Sequence, residues 1–202
     1  MRVEGRHTFA KERAEIWSAL QDPATLAATL PGVKRLEVTG PDRYELSASV
    51  GVGSVKGLFE GTFAVEDKTD LESCVLHGSA RGASGSATVE AQVRLSDADG
   101  GSTQLDYSAD ASVTGPIAGV GQRMIASASK KMARQFFEAV DAYEPQELAP
   151  AEGASDARRR TVFERPAAPA SDHQLFLRGV LVGFAFALAG VLVGRWSVSG
   201  RR

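Results

Sequence analysis

Three histidines and one cysteine are the side chains best suited to metal or nucleophilic chemistry in this chain, and their placement points to neither. His7 falls in a first strand, His77 in a middle strand and His173 far downstream, while Cys74 precedes His77 by three residues. No pair has the short, repeated spacing that closes a metal site. A catalytic triad assembles in space, but the Gly-x-Ser-x-Gly elbow that marks a nucleophilic serine is missing. Gly51-Val52-Gly53 sits in a turn between strands with no helix after it, so it is not a phosphate loop. Asp106 and Asp110 lie two alternations apart on a wet strand face, where carboxylates serve solubility. Arg123, Lys130, Lys131 and Arg134 read as the solvated face of a helix, with docking on an acidic partner or on lipid as the other use. These residue types predict no catalytic residue and no metal ligand.

The elements that carry these residues follow from hydrophobic period. Arg2 to Phe9 alternates as a strand, and Ala14, Ile16, Trp17 and Leu20 then recur at helical spacing. Asp22-Pro23 opens a short helix, a capping carboxylate followed by proline at the first helical position. Leu26 and Leu30 give that helix its apolar side, and Pro31-Gly32 ends it. From Val33 to Thr114 the period is two. Val55, Phe59, Phe63 and Val65 share one face, as do Ala87, Val89, Ala91, Val93 and Leu95, and again Leu105, Tyr107, Ala109, Ala111 and Val113. One wet face and short turns, such as Gly40-Pro41-Asp42 and Asp99-Gly100-Gly101, make an antiparallel meander. After Gly115-Pro116 the period returns to 3.6. Ile117, Val120, Met124, Ala128, Met132, Phe136, Val140 and Tyr143 form a single stripe about 27 residues long. The predicted class is α+β, a curved antiparallel sheet around one long C-terminal helix.

Charge and composition divide the chain. Over residues 1–144, Lys and Arg number 15 against 20 Asp and Glu; over residues 145–202 they number 8 against 5. A mildly acidic folded part gives a nucleic-acid role little electrostatic support. The basic remainder suits a membrane surface, where each Lys or Arg near anionic lipid contributes about 1 kcal/mol. The first residues show no apolar run, so no secretory signal is expected. A single cysteine excludes an internal disulfide framework and fits a reducing compartment.

The longest apolar run is Leu175 to Val193, interrupted only by Arg178 and closed by Arg195 and Trp196. About 20 apolar residues cross a bilayer core as one helix, and Gly179 to Gly194 offers no polar face. Leu175, Phe176, Leu181, Phe184, Phe186, Leu188, Leu192 and Trp196 are the candidate anchor residues. The small-xxx-small spacings Gly179/Gly183 and Gly190/Gly194 permit helix pairing and hence an oligomer. The expected organisation is a domain over 1–144, a disordered Ala-, Pro-, Glu- and Arg-rich linker over 145–172, a transmembrane anchor over 173–196 and a short basic tail over 197–202. A single-pass inner-membrane protein with its domain in the cytoplasm is expected.

The inner faces of the strands are unusually small. Gly57 and Gly61 interleave with Phe59 and Phe63, and Gly78, Ala80 and Gly82 follow Leu76. Either the long helix sits close to the sheet or a hollow remains, and an apolar hollow suits a hydrophobic small molecule. The glycines also have a plain alternative use, permitting twist and bulges. Phe59, Phe63, Val89, Val93, Tyr107, Met124, Ala128 and Phe136 are the candidate wall residues. Leu in place of Gly61 or Ala109 is expected to fill the hollow.

The run Leu30 to Glu37, LPGVKRLE, and the segment Val113 to Val140, VTGPIAGVGQRMIASASKKMARQFFEAV, resemble the G-subunit family of carbon monoxide dehydrogenase. The resemblance covers about residues 1–144, and Gly121-Gln122-Arg123 with Phe136-Phe137 is its most specific part. That family belongs to the START-like (SRPBCC) superfamily, whose helix-grip fold matches the order of elements above. The resemblance implies recruitment to the membrane of a molybdenum hydroxylase of the carbon monoxide dehydrogenase type. It also implies a lipophilic pocket for an isoprenoid quinone or similar lipid. Among the candidate wall residues, Tyr107 is the expected polar handle for a quinone carbonyl. On this reading the chain is a non-enzymatic adaptor. The alternatives are a pure tether with a solid domain, and an enzyme of the cyclase or hydratase kind.

Overall fold

The computed structural model describes residues 1–144 and 161–164. Strand β1 (Arg2–Phe9) is followed by helices α1 (Arg13–Ala19) and α2 (Pro23–Thr29). Six strands follow: β2 (Val33–Gly40), β3 (Arg43–Val52), β4 (Val55–Thr69), β5 (Ser73–Gly82), β6 (Gly85–Asp97) and β7 (Thr103–Thr114). Helix α3 (Gln122–Ala142) and a short strand β8 (Val162–Glu164) complete the described residues.

Local chemistry accounts for the short helices. Asp22 Oδ2 accepts the Thr25 backbone N–H at 2.8 Å and the Thr25 hydroxyl at 2.6 Å, with Pro23 in the first turn. This satisfies amide groups that a helix start otherwise leaves orphaned. The turn between β1 and α1 is fixed to the far end of α3. Ala10 N–H donates to Asp141 Oδ1 at 3.0 Å, and Lys11 Nζ donates to the Tyr143 carbonyl at 2.9 Å.

The strands form one sheet in the order β1-β7-β6-β5-β4-β3-β2-β8, and every pairing is antiparallel. Helix α3 touches both β1 and β3, which lie far apart in that order, so the sheet has to curl around it. The core sits between them. Phe9, Leu36, Val89, Leu105 and Met132 are fully buried there, as are Ala109 and Val140.

Two expectations are corrected. The stripe from Ile117 to Tyr143 is not one helix. Pro116–Val120 is a separate 3₁₀ turn, and Gly121 at φ +91° breaks the chain before α3 begins at Gln122. In the first turn of α3, Ile125 is buried while Met124 is 51% exposed. From Ala128 onward the predicted face holds, with Phe137 added.

The second correction concerns the segment expected to be an unstructured linker. Within it, Val162–Glu164 adds β8 to the edge of β2. Phe163 pairs with Leu36, and Val38 N–H donates to the Thr161 carbonyl at 3.0 Å. A strand of three residues carries too little alternation to be seen in a sequence. Among the described residues no helix is long and apolar enough to cross a membrane. The apolar run from Leu175 to Val193, with its candidate anchor residues, lies outside the described residues.

Phe163 is half-buried against the core and also meets α2 through β8. Phe163→Ala should lower unfolding stability by about 1–2 kcal/mol in urea titration, less than a fully buried phenylalanine because part of its ring is already wet. Amide exchange at Val38 should accelerate in the same variant, because its acceptor is on the strand that Phe163 holds in place.

Candidate functional site

A cavity of about 80 Å³ lies inside the curled sheet, at the end closed by α1 and α2. Trp17, Leu20 and Gln21 line it from α1 and the turn after it, and Leu26 and Leu30 from α2 and its end. The sheet contributes Leu46 of β3, Phe63, Val65 and Lys68 of β4, Cys74 and Leu76 of β5, Ala91, Val93 and Leu95 of β6, and Leu105 and Tyr107 of β7. Phe136 and Phe137 of α3 complete the wall. Almost all of this surface is apolar, and its heteroatom-bearing side chains are Trp17, Gln21, Lys68, Cys74 and Tyr107.

Why the hollow sits at this end follows from register. Along β4 the aromatic rings fall opposite small residues on β5: Phe59 pairs with Gly82 and Phe63 with Gly78, while Gly61 itself pairs with Ala80. A Cβ built on Gly82 would lie 2.9 Å from the Phe59 ring, so that ring occupies the space the glycine leaves. Phe63 is stacked in turn on Tyr44, with ring centres 4.5 Å apart. On β1 the same device holds Tyr107, whose hydroxyl lies 2.5 Å from where a Gly5 Cβ would be. The space at Gly82 and Gly5 is therefore filled by aromatic neighbours, and the cavity lies where α1 and α2 replace strands as the wall.

Four of the eight expected wall residues, Phe63, Val93, Tyr107 and Phe136, come together around this cavity. Phe59 lines a second, smaller cavity of about 30 Å³ near the start of α3, with Val50, Ile117, Ile125 and Ser129. Val89 and Ala128 are buried in the packing away from both linings. Met124 is exposed in the first turn of α3. Nor would leucine at Gly61 fill the hollow. A Cβ there meets the Ser79 carbonyl oxygen before it meets any void, and Ala109 lies on neither lining.

Several wall residues carry no signal in the period of the sequence. Trp17, Leu26 and Leu30 sit on faces that look like ordinary core, and Lys68 breaks the alternation of its strand. Its Nζ donates to Asp42 Oδ2 at 2.7 Å and to Gln21 Oε1 at 3.3 Å, across the rim.

Burial favours the neutral form of three groups in or beside this core. Burial pushes the Cys74 thiol up to about 11, against the opposing pull of the Lys68 ammonium. Burial likewise raises Tyr107. His7 stands between Phe9 and Phe137, with ring centres 4.7 and 5.4 Å away, and its Nε2 is buried without a hydrogen bond. Burial lowers its pKa below 6.5, although Asp141 and Glu138 pull the other way. Outside, Arg6 Nε donates to Asp106 Oδ1 at 2.7 Å, and that hydrogen bond is the main reason the Asp106 carboxyl is lowered. His77 stands 3.7 Å from Glu66 and 4.0 Å from Glu90. No group of three or more His, Cys, Asp or Glu side chains among the described residues is arranged to hold a metal.

Two outcomes follow from these groups. Because the thiolate is the reactive form, Cys74 in the folded protein should react with iodoacetamide far more slowly at pH 8 than an unfolded control, speeding up only as the pH approaches about 11. His7 is neutral in the fold, whereas the unfolded chain takes up a proton as the pH falls through 6.5. Stability should therefore fall as the pH drops from about 7 toward 5, and His7→Phe should flatten that part of a urea-midpoint profile.

Residues 5–143 match the family model for CoxG, the G subunit of carbon monoxide dehydrogenase. No curated protein matches the chain. Among solved structures, a conserved protein from Geobacillus kaustophilus is 29% identical at a TM-score of 0.68, over 70% of this chain and 93% of its own. The Zhui aromatase/cyclase from Streptomyces sp. R1128 is 15% identical at 0.54, over 70% and 92%. A START superfamily protein from Mycobacterium smegmatis is 16% identical at 0.54, over 70% and 94%. The last two likenesses show a shared fold alone, a START-like antiparallel sheet with a C-terminal helix. The family model reaches further, matching well over half of the chain from β1 to the end of α3: the chain belongs to the CoxG family, the G subunits of carbon monoxide dehydrogenase.

Proposed function

We propose that this chain carries a lipophilic small molecule, an isoprenoid quinone being the candidate of best fit, at the cytoplasmic face of a membrane. There it serves a molybdenum hydroxylase of the carbon monoxide dehydrogenase type. The observation that carries this reading is the cavity itself, walled by apolar side chains from α1, α2, five strands and α3. Tyr107 contributes to its wall from β7. The family name supports the partner enzyme and an accessory role rather than a catalytic one. Neutral Cys74, Tyr107 and His7 agree with binding more than with proton transfer. The apolar run from Leu175 to Val193 supports attachment to lipid, which is where an insoluble quinone is stored.

The volume sets a condition. A void of about 80 Å³ is roughly half of the 150 Å³ that suffices for benzene, so a quinone ring widens the cavity as it enters. That smallness is the observation favouring the second reading, a tether that binds the enzyme by its surface and holds no ligand. The two part company on one experiment. The full chain, purified in mild detergent, is extracted with organic solvent and the extract analysed for quinones and lipids. Near-stoichiometric quinone supports the carrier; an empty protein that stays empty after incubation with quinone supports the tether. Ala91→Phe fills the wall at a 1% exposed position, and retained quinone should drop at least tenfold. The fold should survive at a cost of about 1–3 kcal/mol.

A further inference from the structure

We propose that Lys68 is the recognition group of this cavity, donating from its ammonium to a hydrogen-bond acceptor on the ligand's head, a carbonyl or a carboxylate. The proposal rests on the cavity being a ligand site and names the head-group chemistry that site selects.

The backbone goes out of its way to turn Lys68, an exposed residue, toward the cavity mouth. Along β4 the odd-numbered residues Phe59, Phe63 and Val65 face inward, while Lys56 and Glu60 at even positions are exposed. Continued alternation would send Lys68 outward with them. Between Glu66 and Thr69, however, β4 spends one more residue than β5 does, since Glu66 pairs with Val75 and Thr69 with Ser73. Asp67 sits in this bulge at φ +47°, a left-handed conformation that a non-glycine residue adopts at a cost. The bulge reverses the alternation. Asp67 then lines an open polar depression beside Arg94 and Asp106, and Lys68 lines the apolar cavity. Re-aiming one side chain is what such bulges accomplish.

Among the described residues, Lys68 is the one charged side chain lining the cavity. Its side chain is 33% exposed, which places the ammonium at the mouth rather than in the deep end. Two of its three protons are engaged, with Asp42 Oδ2 at 2.7 Å and Gln21 Oε1 at 3.3 Å. Asp42 is itself left-handed, at φ +53°, in the turn between β2 and β3. An ammonium has three donors, so a third remains for an acceptor inside. A plain surface ion pair would need neither the bulge nor the approach to apolar side chains. The geometry thus joins two tasks in one residue: closing the mouth across three elements, and reading a polar atom on whatever has entered.

The test measures binding to the full chain in detergent for three probes. They are 2-methyl-3-prenyl-1,4-naphthoquinone, the hydrocarbon of the same skeleton lacking both carbonyls, and oleate. Lys68→Met keeps the stem and removes the donors. It should weaken binding of the naphthoquinone or of oleate by about tenfold, the worth of one charge-assisted hydrogen bond, while the hydrocarbon changes by less than about twofold. Lys68→Arg should restore most of the loss. Whether naphthoquinone or oleate suffers more separates a neutral carbonyl from a carboxylate. Equal effects on all three probes, or none, would overturn the assignment of Lys68 while leaving the cavity a lipophilic site. If the unaltered chain binds none of the three, the ligand-carrier reading itself falls, and this inference with it.

Discussion

A sheet that curls around a single helix has a geometric problem: its concave face must be filled from one side only. In this protein α3 supplies Met132, Phe136, Phe137 and Val140, and the strands answer with residues of very unequal size. Where a glycine on one strand faces an aromatic ring on the next, as Gly82 faces Phe59, the gap closes and the packing is dense. Where α1 and α2 take over as the wall, two helices of seven residues cannot follow the curvature, and space is left. The cavity is thus a consequence of closing the fold at one end with short helices. It is not a void scattered through a loosely filled core.

That origin explains what the amino-acid sequence disclosed and what it hid. Strand faces were readable because each has a wet and a dry side, so Val89, Ala91, Leu105 and Ala109 fell inward as alternation requires. The cap at Asp22 and the proline after it were equally plain, since both act within one turn. The hollow's location was not, because it depends on which ring lies over which glycine, a matter of register between strands. Small residues marked the positions of filled gaps as readily as of empty ones, and Phe59 proved to line a different cavity from Phe63. Met124 was misplaced because the stripe reads as one helix, whereas the positive φ at Gly121 makes α3 start only at Gln122 and leaves Met124 in its exposed first turn. Lys68 was hidden by the same kind of event in a strand, a left-handed Asp67 where no glycine announces a bulge. β8 was hidden by brevity.

The interior chemistry is consistent from group to group. A thiol, a phenol and an imidazole stand in or beside the core, and desolvation holds each in its uncharged form. A site built for proton transfer sets neighbouring groups against each other so that one gives and another takes. Here the pressures all run toward neutrality, which keeps the wall compatible with an apolar guest. The exception in character is Lys68 at the rim, whose side chain is 33% exposed to water.

On the proposed carrier reading, loading the cavity is a contest between two unequal terms. Opening the mouth separates Lys68 from Asp42, a pair with side chains 33% and 32% exposed, and pairs of that exposure contribute about 0–1 kcal/mol. Each methylene equivalent that a guest buries contributes about 0.8 kcal/mol, so a prenylated ring repays the opening several times over. The larger expense is moving a wall, and the cheapest wall to move is the one with the least continuous hydrogen bonding. Strands β3 to β7 are paired on both sides and cannot yield locally without breaking a ladder. Helices α1 and α2 hold their own backbone bonds wherever they go, and they meet the rest of the fold mainly through side chains such as Trp17, Leu26 and Leu30. α2 also meets β8, the strand that carries Phe163. Expansion therefore belongs to α1 and α2, with the sheet as the fixed frame against which they move.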